Sequence, residues 1–112
     1  MTAIDDITRL RHMLDAAREA SLFIQGKTRE SLDTERMLAL SLVRLLEIIG
    51  EAASRISKEK QAQVPDIPWR QIIGMRNRLT HAYFDISLDF VWQTATEDLV
   101  PLIAALEKIL GE

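Results

Sequence analysis

Eight consecutive residues hold most of the chemistry of this chain: Arg76-Asn77-Arg78-Leu79-Thr80-His81-Ala82-Tyr83. A guanidinium can make paired hydrogen bonds to phosphate oxygens. An imidazole can take or give a proton near neutral pH. With an amide, a hydroxyl and a phenol beside them, these groups form a minimal kit for cutting a phosphodiester bond without a metal. From Arg70 to Tyr83 there are three bases (Arg70, Arg76, Arg78) and no acids. From Asp85 to the last residue there are six acids against Lys108. A narrow basic patch framed by negative charge suits a few phosphates in a cleft better than a long duplex.

Four helices must position this segment. The first is expected from about Thr2 to Gln25, because Ile4, Ile7, Leu10, Met13, Leu14 and Ala17 fall at steps of three and four. Asp5 and Asp6 lie in its first turn, and Gly26 can stop it. The second has Ser31 or Asp33 as a cap and carries its apolar pattern from Met37 to Ile56. It is apolar on more than one face, so it should be central, touching neighbours on two sides or a second subunit. Ser57 to Gln63 is polar and reads as a loop. Pro68 suits the first turn of a third helix reaching Ala82, which carries the basic segment. Ser87 caps a fourth helix running from Leu88 to Leu110, which Pro101 should kink or divide and Gly111 should end. No strand pattern competes. The expected fold is all-α, an up-down bundle of four main helices in a single domain spanning residues 1–112.

On the third helix Ile72, Met75, Leu79 and Ala82 make the core stripe at 100° per residue. Arg76 and Tyr83 share a line at its edge, while Asn77 and His81 stack on the more exposed side. Arg76 and His81 point about 140° apart in an ideal helix. To meet on one phosphate, either the helix ends or distorts before His81, or a second subunit supplies half of the site. A two-fold dimer, setting two copies of the segment face to face, is the favoured solution.

Bulk properties narrow the function. The 112 residues fit one domain, and 47% hydrophobic content excludes a disordered chain. The net charge of −3 argues against broad, charge-driven nucleic-acid binding. There is no cysteine, hence no disulfide framework and no thiolate metal site. The acidic start, Asp5-Asp6, lacks the bases of a signal peptide, and no apolar run reaches the roughly 20 residues that cross a bilayer. The expected location is cytoplasmic, with no membrane partner and no cofactor. Glu47 and Glu51 resemble a paired-carboxylate site, but without a nearby histidine they are expected to pair with Arg44, Arg55 or the basic segment. His12 is expected on the surface, and Trp69 and Trp92 in the core.

The spacing Arg76-Asn77-x-x-x-His81-x-Tyr83 resembles the Arg-x-x-x-x-His-x-Tyr signature of HEPN-domain proteins, specifically the HepT-like toxins. The segments Leu46-Glu47-Ile48-Ile49-Gly50-Glu51-Ala52-Ala53 and Ile73 to Asp85 are similar to HepT segments in the same order, so the likeness covers nearly the whole chain. The resemblance implies a dimeric helical bundle with the signature lining a cleft between subunits, and a metal-independent endoribonuclease. It further implies a toxin paired with a minimal nucleotidyltransferase antitoxin that transfers AMP to Tyr83.

In that reading His81 is the general acid or base and Arg76 stabilises the transition-state charge. Asn77 orients His81 or holds a phosphate oxygen, and Tyr83 positions RNA. Arg78 and Thr80 are candidate contacts to RNA or the partner. The alternative is a non-catalytic HEPN module that binds nucleotide or RNA or serves as a scaffold for a nucleotidyltransferase. The intact Arg76/His81 pair favours the nuclease, since a scaffold needs neither group.

Overall fold

The computed structural model describes residues 5–81 and 86–112, with the side chains of Thr80 and His81 outside that description. The chain is all-α, and no strand occurs among the described residues. The elements are α1 (Asp6–Phe23), α2 (Ser31–Thr34), α3 (Arg36–Arg55), α4 (Lys58–Gln63), α5 (Trp69–His81), α6 (Leu88–Gln93), a π-helical segment (Thr94–Asp98) and α7 (Leu99–Leu110).

The central helix is α3, as its pattern predicts: it packs against α1 on one side and α5 on the other, while α7 packs against α1. Leu42, Leu46 and Ile49 on α3 have no exposed surface, and neither do Leu10, Met13 and Leu14 on α1. Burying each such side chain stabilises the fold by roughly 1.5–3 kcal/mol. Polar contacts set the directions. The Asp6 carboxylate at the start of α1 accepts from the Ser57 amide (3.0 Å) and hydroxyl (2.6 Å) just past the end of α3, so α1 and α3 run antiparallel. Arg11 pairs with Glu112 and Arg18 with Glu107 at 2.8 Å, so α1 and α7 do likewise.

Several local expectations hold. Asp6 lies in the first turn of α1, while Asp5 stands one residue before it as the cap, its carboxylate accepting from the Thr8 amide at 2.8 Å. Ser87 caps α6, its hydroxyl accepting from the Phe90 amide at 3.2 Å. Gly111 ends α7 at φ 72°, a left-handed conformation that glycine adopts without a Cβ penalty. The first helix starts at Asp6 rather than near Thr2, because Asp5 is extended at φ −77° and ψ 167°; the Ala82 end of the third lies outside the described residues.

Three further expectations need correction. Neither Ser31 nor Asp33 caps the long helix. The two residues belong to the separate turn α2, and Glu35, at φ −111° and ψ 86°, breaks the chain before α3. The Ser31 hydroxyl instead accepts from the Thr28 amide at 3.0 Å. The stretch read as a loop contains α4, capped by Ser57, whose hydroxyl accepts from the Lys60 amide at 3.1 Å. This helix buries none of its residues, so it has no apolar stripe to reveal it. The division of the last helix falls at the π-helical segment, just upstream of Pro101. Proline offers no amide to the preceding turn. Within the π-helical segment the Thr96 hydroxyl donates back to the Trp92 carbonyl of α6 at 2.8 Å.

Candidate nuclease site

The basic segment lies on α5, which is held to α3 by its buried face: Ile72, Met75 and Leu79 are at most 9% exposed. The Pro68 carbonyl accepts from the Ile72 amide at 3.1 Å, so the proline stands at the head of the helix. Trp69 is buried, and its indole N–H donates to the Val64 carbonyl at 3.0 Å, fixing the approach to α5. Trp92 is half-buried against the core and His12 is exposed.

Gly50 sets how closely α5 approaches α3. A Cβ at this position would lie 2.6 Å from the Arg76 Cβ and 3.1 Å from the Ile72 carbonyl oxygen. Only a residue without a side chain permits that approach. It brings the next residue, Glu51, to Arg76: the Arg76 Nη1 donates to Glu51 Oε2, and Arg55 Nε donates to Glu51 Oε1 at 3.0 Å. The Arg76 and Arg55 guanidinium groups hold the Glu51 carboxyl below its usual range, Arg76 having the larger effect. Glu51 thus pairs with Arg55 and the basic segment, two of the partners expected for it. No group of three or more potential metal ligands occurs among the described residues.

The other site residues fall differently. Asn77 and Arg78 are exposed. The Arg78 guanidinium lies over the Phe90 ring of α6, 3.7 Å from its centroid, a cation–π contact that ties α5 to the last part of the chain. Nothing in the sequence pairs those two residues; the contact exists only because the helices converge. A cavity of about 600 Å³ opens beside them, with Ile49, Ile72, Met75 and Leu102 in its lining and Asp66 and Asp98 as its carboxylates. Helix α5 continues through His81, so the helix does not end before that residue. The side chains of Thr80 and His81, and all of Tyr83, lie outside the described residues.

The described residues thus form an all-α bundle that holds a half-buried arginine on α5, five residues before His81 on the same helix. The chain belongs to the ribonuclease HepT-like family, whose model matches residues 13–109. It is 35% identical over 100 residues to a protein named "Probable ribonuclease HepT" of Thermococcus cleftensis, covering 86% of this chain and 91% of the relative. A protein of Caldanaerobacter subterraneus subsp. tengcongensis, named as a candidate RNase, is 32% identical over 101 residues, covering 90% of each. One from Methanocaldococcus jannaschii, named in the same way, is 31% identical over 100 residues, covering 89% of this chain and 92% of that one. No solved structure matches the chain.

Proposed function

We propose that the protein is a metal-independent endoribonuclease. The ribose 2′-hydroxyl attacks the adjacent phosphorus, forming a 2′,3′-cyclic phosphate and releasing the 5′-oxygen of the next nucleotide. His81 moves the proton as general base or acid, a role contributing roughly 10²–10⁴ in rate. Arg76 stabilises the negative charge that grows on the phosphate oxygens. Asn77 orients His81 or a phosphate oxygen. The substrate must be RNA, because DNA lacks the nucleophile. The observation that carries this reading is Arg76, anchored at the α3–α5 junction on the same helix as His81 in a chain whose family is named for a ribonuclease.

The site is completed by a second copy of the chain. Arg76 and His81 diverge by about 140° on a regular helix, and α5 is helical through both. One subunit therefore gives Arg76 and the other His81 to a shared phosphate. The outward side of α3 supports pairing, for Met37 is 84% and Leu40 53% exposed. The physiological partner is a nucleotidyltransferase antitoxin that transfers AMP to the Tyr83 hydroxyl. The added bulk and negative charge beside the scissile phosphate would repel RNA. The pair would act in the cytoplasm. In the described residues no helix is long and apolar enough to cross a membrane.

The test is cleavage of labelled total RNA by purified protein in EDTA, with His81→Ala and Arg76→Ala in parallel. Cleavage that survives EDTA and disappears in both variants is expected. Wild-type protein that cuts nothing, with Tyr83 shown free by mass spectrometry, would move the assignment to a binding or scaffold module.

A further inference from the structure

Glu51 stands beside the proposed phosphate-binding arginine with each carboxylate oxygen committed to a different guanidinium: Oε2 to Arg76 and Oε1 to Arg55. The Glu51 and Arg76 side chains keep 43% and 33% of their surface exposed. A pair so open to solvent contributes little to folding. Its effect is directional. Arginine carries a rigid, planar fork of donors on a flexible stem. Tying one end of that fork to α3 fixes its plane, and the Gly50 contact fixes where the stem begins. The arrangement also tells what Glu51 does not do. With both oxygens accepting from arginines the carboxylate stays ionised and weakly basic, so it is a poor proton acceptor for a ribose hydroxyl.

We propose that Glu51 is a positioning residue for RNA cleavage: it anchors the Arg76 guanidinium to α3 so that the fork meets the scissile phosphate in one orientation. The inference rests on the ribonuclease reading of Arg76. Fixed orientation acts on the transition state, where a misplacement of about 1 Å can cost on the order of 100-fold. It acts less on binding, since a swinging arginine still attracts RNA.

The experiment is steady-state cleavage of a labelled single-stranded oligoribonucleotide by wild type, Glu51→Ala, Glu51→Gln and Arg76→Ala. Glu51→Ala should lower kcat on the order of 10–100-fold, with KM changed by less than about threefold. Glu51→Gln keeps one acceptor oxygen and should recover part of that loss at the same KM. Thermal melting should show both Glu51 variants folded; if Glu51→Ala does not fold, the kcat loss at constant KM is read from Glu51→Gln. An inactive Arg76→Ala beside fully active Glu51 variants would overturn the positioning role and leave the ribonuclease reading standing. Faster cleavage by Glu51→Ala would overturn it too, showing Glu51 to be a competitor of the phosphate. An active Arg76→Ala, or a wild type that is inactive with Tyr83 shown free by mass spectrometry, would overturn both readings.

Discussion

Gly50→Ala should damage the protein, although alanine is the better helix former. The new Cβ would lie 2.6 Å from the Arg76 Cβ, whereas carbon atoms in contact settle at about 3.5–4.0 Å. The obstructing atom is anchored next to the backbone and cannot swing away, and the Ile72 carbonyl blocks a second direction at 3.1 Å. Helix α5 must therefore move off α3 by about 1 Å. Overpacking of this kind costs about 1–3 kcal/mol, and the upper end applies where the clash is with fixed atoms. Alanine's helix preference returns about 1 kcal/mol, leaving a net loss of about 2 kcal/mol. With an unfolding entropy of roughly 2.1 cal/mol/K per residue over 112 residues, the midpoint should fall by about 8 °C. RNA cleavage should drop further than stability explains, because Arg76 moves with α5. Gly74→Ala is the matched control. It sits within α5, and an added Cβ meets nothing within 4 Å. It should raise the midpoint by roughly 2–4 °C through helix preference alone. Differential scanning calorimetry on the two variants decides the matter. A Gly50→Ala protein melting at or above wild type would refute the close approach of α3 and α5, and with it the geometry assigned to Arg76.

Two further outcomes follow from the same structure. Leu46, fully buried on α3, should cost about 2–5 kcal/mol when cut to alanine; denaturant unfolding showing less than about 1 kcal/mol would mean that α3 is not central. Acid should destabilise the protein, because Asp5, Asp6, Glu51 and Glu112 all have carboxyl pKa values lowered in the fold, chiefly by bonds from Thr8, Ser57, Arg76 and Arg11 respectively. Groups with depressed folded values stabilise fully above their unfolded values of 3.8 for aspartate and 4.5 for glutamate, and that stability is lost as pH falls through the folded values. Melting temperature should thus be flat above about pH 5 and fall below it, with a smaller fall in Asp6→Asn; a profile that stays level into the acid range would contradict these bonds.

The sequence by itself determined what depends on near neighbours along the chain. Apolar residues at steps of three and four specify α1, α3 and α5, and turn chemistry at Ser87 and Gly111 marks the bounds of the last helical stretch. Pro101 announces an interruption there. The residue types from Arg76 to Tyr83 raise the expectation of phosphate chemistry without any fold. Helix α4 buries nothing and so leaves no periodic pattern; its local signals are Ser57 as a cap and Glu59 in its first turn. The break at Glu35 has no local signal, because helix propensity does not oppose glutamate there. Tertiary structure alone decided which long-range pairs form. Glu51 had several cationic partners open to it, and the choice of Arg76, 25 residues away, depends on the separation of two helices that Gly50 permits. Arg78 reaches Phe90 by the same kind of convergence. Hydrophobic periodicity says which face of a helix is buried; the distance and angle at which two such faces meet are set by side-chain volumes on both helices at once, and no single stretch of sequence contains both.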